Sequence, residues 1–181
     1  MDCLDGAGIA YVGAGKDLEC AVAPAMITAK GLRIAFLGRN LWFPKGVWFR
    51  PDAPGVAPIE PDTIEAEVAD AARNADIVIV SLHWGVEYRR YPSEEQKELA
   101  RKLIDAGADL ILGHHPHVVQ PVEEYHGGVI AYSLGNFLFD SPYWKRTDGA
   151  ILKCRLSKTG VSDLEVVAVR IADCRPEVNG R

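Results

Sequence analysis

Apolar positions recur along this chain with two periods, and the pattern is clearest at its centre. Ile64, Val68, Ala71, Ala72 and Ala75 fall on one helical face, with Pro61 suited to the first turn. Ile77, Val78, Ile79 and Val80 are an unbroken apolar run, which predicts a strand over 76–82 covered on both faces. Ser93, with Gln96 three residues on, predicts a capping box. Leu99, Ala100, Leu103 and Ile104 form the buried stripe of that helix, and Gly107 is its stop. Leu110 to Leu112 is the next strand. A strand–helix–strand unit of this kind lays its strands parallel with a right-handed crossover.

The flanks are less regular. Residues 4–8 read as the last turn of a helix and Ile9 to Val12 as a short strand, followed by a Gly13-Ala14-Gly15 turn and a helix from Leu18 to Ala23. Pro24 to Thr28 and Leu32 to Leu37 are strands about a tight Lys30-Gly31 turn. Arg39 to Glu60 holds four prolines and two tryptophans and reads as a long irregular loop. Its Trp42, Phe43, Trp48 and Phe49 either line a groove or pin the loop to the core. Val129 to Ser133 is a third central strand. Ala150 to Leu156 and Leu164 to Ile171 form a closing hairpin around Lys158-Thr159-Gly160, and the tail frays from Cys174. One α/β domain over 1–172 with a disordered tail over 173–181 is the expected organisation.

Composition narrows the function. The 181 residues, 48% hydrophobic and 25% charged, suffice for one domain with a core. A net charge of −5 without any basic run argues against nucleic acid as a partner. Cys3, Cys20, Cys154 and Cys174 are far apart and form no Cys-x-x-Cys pair, so no zinc ribbon or redox motif is expected. No apolar run approaches a membrane span, and the first residues lack a secretory pattern, so the chain as written reads as soluble.

Three of the five histidines fall in Gly113-His114-His115-Pro116-His117, and a fourth opens His83-Trp84-Gly85-Val86-Glu87-Tyr88. Both strings follow strands of the parallel unit, on the sheet edge where open α/β folds put ligands. His83, His115 and His117 are the candidate metal ligands, the last two addressing one centre if their segment is extended. Imidazole suits Mn, Fe, Zn and Ni alike, so the ligand type selects no single divalent transition metal. Asn136, Glu87 and His114 are the candidate catalytic residues. Asn136 can ligate or orient the site, and His114 can equally face outward. Glu87 or Asp140 can ligate, act as an acid or base, or pair with Arg89, Arg90, Lys145 or Arg146. His126, beside Gly127-Gly128, reads as a solvated hairpin residue.

The strings HWGVEY (83–88), GADLILGHHPHVVQPVE (107–123) and YSLGNFLFD (132–140), with residues 8–38, resemble the CapA family of poly-γ-glutamate capsule biosynthesis, related to calcineurin-like metallophosphoesterases. The resemblance covers residues 8–171. It implies a metallophosphoesterase-like β-sandwich flanked by helices around one or two divalent metals (Mn, Fe or Zn). By position, His83 matches a lone metal-binding histidine, and His115 and His117 match a paired ligand motif. It also implies an anionic polymer or phosphoester substrate, capsule-synthesis partners, and relatives that often act outside the cytoplasm behind an N-terminal anchor. Such phosphoesterases carry earlier Gly-Asp and Asn-His strings, and neither pair occurs in these residues. The expectation is therefore a fold lacking its N-terminal part. Its site is then either a hydrolase centre or that of a catalytically impaired accessory protein for polymer synthesis or export.

Overall fold

The computed structural model describes residues 1–41, 52–139 and 148–178. Its elements in chain order are α1 (Asp2–Gly6), β1 (Ala14–Gly15), α2 (Leu18–Val22), β2 (Ala25–Ala29), β3 (Leu32–Asn40), β4 (Gly55–Val56), α3 (Pro61–Asn74) and β5 (Ile77–His83). They continue with α4 (Glu94–Asp105), β6 (Leu110–His114), β7 (Val122–Tyr125), β8 (Gly128–Ala131), β9 (Asp148–Ser157), β10 (Gly160–Ala172) and β11 (Arg175–Val178).

Among the described residues, β2-β3-β5-β6-β8-β7 make a six-stranded sheet in that order. Its four central strands, β3, β5, β6 and β8, are parallel, and antiparallel β2 and β7 close its edges. Burial on both faces explains the unbroken apolar run of β5. One face packs Val78, Val80 and Leu82 against Ile64, Val68, Leu103 and Ile104 of α3 and α4. The other packs Ile34, Ile77, Ile79, Leu110 and Val129 against Leu152, Leu156, Val161 and Leu164 of the hairpin β9–β10. The result is three layers, helices, sheet and second sheet, which agrees with the α/β sandwich expected.

The α4 cap forms as the sequence predicts. Ser93 Oγ accepts from Gln96 N at 3.3 Å and Gln96 Oε1 accepts from Ser93 N at 3.1 Å. Three segments differ from expectation. Ile9 to Val12 forms no strand among the described residues, and Ile9 stays exposed. Residues 13–15 contain β1 rather than a simple turn, because Ala14 and Gly15 pair with Val56 and Gly55 across the long loop. Arg175–Val178, expected to fray, forms β11 against β10. Trp42, Phe43, Trp48 and Phe49 lie outside the described residues. Among the described residues, no helix is long and apolar enough to cross a membrane.

Buried beneath the sheet edge, Arg39 pairs with Glu67 of α3 and donates to Gly38 O at 2.7 Å and Val22 O at 3.0 Å. A guanidinium out of water needs such a full set of acceptors. This one ties β3 to α3 and α2 just below the strand ends that carry the histidines.

Candidate metal centre

Parallel pairing puts three strand ends side by side. Asn40 of β3 lies opposite His83 of β5, and His83 lies opposite His114 of β6. The two loops that follow β5 and β6 are then stapled together. Trp84 N donates to His114 O at 3.1 Å and Tyr88 N to Pro116 O at 2.8 Å. Gln120 Nε2 donates to Arg89 O at 2.8 Å. Below them, Trp84 Nε1 donates to Tyr132 O at 3.1 Å, in a space that only a glycine at 113 leaves open.

The loop backbone is not extended. His115 has φ +95°, His117 +55° and Tyr88 +64°, left-handed conformations that non-glycine residues seldom adopt. This corrects the basis on which the two imidazoles were expected to converge. They meet because the chain turns at each of them, and their ring centroids stand 6.0 Å apart. The turn at Tyr88 likewise leaves Glu87 beside them. One ligand atom each from Glu87, His115 and His117 lies within 4.8 Å of the others.

His83 flanks this trio, its ring centroid 4.8 Å from that of His115. Asn136 Oδ1 sits 2.7 Å from His117 Nδ1. An amide oxygen only accepts, so Nδ1 carries the proton and the Nε2 lone pair is free for a ligand. Burial pushes the pKa of His83, His114 and His115 below the ordinary imidazole value. Neighbouring imidazoles add to that, and Glu87 opposes it at His115. All three are therefore neutral, ligand-ready bases near pH 7.

The structure thus gathers Glu87, His115, His117, His83 and Asn136 and sets His114 apart. His114 lines a neighbouring cavity of about 330 Å³ with His83, Asn40, Ser81 and Gly38. His83 stands between the two spaces. His126 is remote, exposed on the β7–β8 turn with Nδ1 2.7 Å from Asp105 Oδ1. Asp140, Lys145 and Arg146 lie outside the described residues. Sequence reasoning overlooked Asn40 and Gln120. The end of a third parallel strand marks the first, whereas Gln120 has no local mark, since only tertiary contact shows its role.

The layered sheet has a metallophosphoesterase-like fold, shared with two solved structures. A sulfate thiohydrolase, SoxB, of Thermus thermophilus superposes with TM-score 0.52 at 18% identity, over 82% of this chain and 24% of that one. A putative 5'-nucleotidase of Staphylococcus aureus superposes with TM-score 0.53 at 14% identity, over 87% of this chain and 32% of the other.

Within that class, the bacterial capsule synthesis protein family, PGA_cap, matches residues 1–141. The chain belongs to this family. It is 42% identical over 166 residues to the PGA biosynthesis protein CapA of Bacillus subtilis, covering 91% of this chain and 44% of the relative. The capsule biosynthesis protein CapA of Bacillus anthracis is 38% identical over 175 residues, 94% of this chain and 43% of its own length. A probable polyglutamine synthesis accessory protein of Mycobacterium tuberculosis is 37% identical over 148 residues, 76% of this chain and 39% of the relative. The chain therefore spans less than half the length of these relatives.

Proposed function

We propose that this chain contributes a metal-dependent, phosphoesterase-like hydrolase site to the biosynthesis of an anionic capsule polymer. The observation that carries the reading is the convergence of Glu87, His115 and His117 within 4.8 Å. Two imidazoles and a carboxylate suit Zn, Mn or Fe. When bound, a divalent cation supplies Lewis-acid polarisation of the scissile group and acidification of water.

The chain's own groups do the rest. His115 and His117 bind through neutral nitrogens, Asn136 holds the His117 tautomer, and Glu87 offsets the charge. His83 completes the wall on the side of His115. His114 faces the adjoining cavity as a neutral base able to take a proton from a group that reaches past His83.

Metal analysis of the purified chain, with Mn²⁺-dependent cleavage of p-nitrophenyl phosphate, tests the reading. Near-stoichiometric metal and turnover are expected, both lost in His115→Ala. Turnover indifferent to that substitution sinks the proposal. The accessory reading has its own support, because the mycobacterial relative is described as an accessory protein in polyglutamine synthesis. It expects at most one weakly held metal, polymer binding and no turnover.

A further inference from the structure

A second cavity, of about 360 Å³, is walled by Trp84, Gly85 and Val86, the residues just before Glu87, and by the first turn of α4. Leu41, Ile59 and Leu99 make the rest of its lining mostly apolar. Its volume falls within the ~300–1,000 Å³ range of pockets that hold small molecules. Gln96, 7% exposed, is part of the wall. Its Oε1 accepts from Ser93 N in the capping box, whereas Nε2 is buried and meets no acceptor among the described residues. A glutamate would complete the same box and suit the positive end of the helix better, so the cap does not call for an amide. What the amide adds is a donor. Gly85, at φ +85°, keeps the space beside that donor open, since a Cβ there would lie 2.6 Å from Nε2. Glu95 also lines the cavity, and no Lys, Arg or His does among the described residues.

We propose that this cavity binds a small neutral molecule with an apolar body and one acceptor oxygen, and that its occupancy steadies the loop carrying Glu87. Gln96 Nε2 donates to the oxygen, while Leu41, Ile59, Trp84 and Leu99 cover the body. A buried donor left unmet is costly, and an oxygen on the bound molecule removes that cost. A hydrocarbon leaves Nε2 as it is. A carboxylate would face Glu95 with no cation to receive it, which selects against anions. The link to Glu87 rests on the proposed metal centre; the binding of the neutral molecule does not.

Titration of the ¹⁵N-labelled full chain with propiophenone tests it, followed by the Gln96 side-chain amide signals and the backbone signals of Gly85 and Leu99. n-Propylbenzene, nearly the same shape without the oxygen, and benzoate are the comparison probes. Propiophenone should shift the amide signals and bind about fivefold more tightly than propylbenzene, the usual net effect of one hydrogen bond. Benzoate should bind more weakly than either. Gln96→Glu, which keeps the cap, should bring propiophenone down to the propylbenzene level or below. Saturating propiophenone should tighten Mn²⁺ binding about fivefold, read against a competing chelator. No binding of propiophenone, or equal affinity for propiophenone and propylbenzene in the parent chain, overturns the site. Binding of propiophenone with unchanged Mn²⁺ affinity, in a chain that holds the metal, overturns the link to Glu87. A chain that binds propiophenone through Gln96 yet takes no Mn²⁺ removes the hydrolase reading and leaves the site standing.

Discussion

Gly113 is the position where adding one carbon should do most damage. A Cβ there would overlap Tyr132 C and O and come within 2.6 Å of Trp84 Nε1. Both neighbours are 1% exposed, so neither can swing into solvent. Gly113→Ala must therefore push the start of the histidine loop away from Tyr132 and break the Trp84 Nε1–Tyr132 O bond. Overpacking a dense core costs about 1–3 kcal/mol. Leaving a buried donor and acceptor unmet adds about 1–3 kcal/mol. The sum, roughly 2–6 kcal/mol, is a large share of a domain's ~5–15 kcal/mol stability. Urea unfolding followed by circular dichroism measures it, and a drop in midpoint of about 1 M or more is expected for a slope near ~2 kcal/mol/M. Gly6→Ala, where a Cβ meets nothing within 4 Å, is the control and should leave the midpoint nearly unchanged. A Gly113→Ala chain that unfolds at the parent midpoint would refute the reasoning.

Other variants separate the remaining contributions. Asn136→Ala should lower divalent-metal affinity about 10–100-fold while the fold survives, because it frees the His117 ring; metal titration against a competing chelator reads this. Glu67→Ala leaves the Arg39 guanidinium, 1% exposed, with backbone carbonyls alone. About 2–4 kcal/mol should be lost, near the low end for a broken buried pair because Glu67 is itself 23% exposed; chemical denaturation measures it. For the metal-free chain, the pKa values of His83, His114 and His115 are lower folded than unfolded. The unfolded chain then binds protons first, so stability should fall as pH drops below about 6.5. Urea midpoints at about pH 7.5 and about pH 5.5 check the sign, with a smaller drop expected in His114→Gln.

Much of the fold is legible because its elements repeat one local pattern. The α3 stripe, the α4 capping box and the apolar run of β5 each carry their own cause, and parallel pairing then follows. Elements that depend on distant partners are not legible. β1 and β4 are two residues each and exist through their mutual pairing. β7, Val-Glu-Glu-Tyr, has too little apolar character to stand out, and β8 organises it from the inside edge. At the site, the pairing of two strand ends was readable. The left-handed backbone at His115 and His117 was not, since histidine adopts it only in a minority of cases and tertiary contacts, not a local pattern, impose it here. That geometry explains why Glu87, rather than His83, joins the closest grouping.

The staples between the two loops bear on how the proposed centre would be loaded. Left-handed non-glycine residues cost about 1–3 kcal/mol each and persist only where the surroundings enforce them. Here the enforcing contacts are backbone and amide hydrogen bonds made by Trp84, Tyr88 and Gln120, none of them a candidate ligand. On the proposed metal reading, shaping the site is thus completed during folding, and loading it is a separate, later event. A chelator should empty the centre without melting the chain, unlike small zinc domains whose folding is the binding. On that reading, the ion that occupies the centre is then set by the supply the folded chain meets and can change when that supply changes.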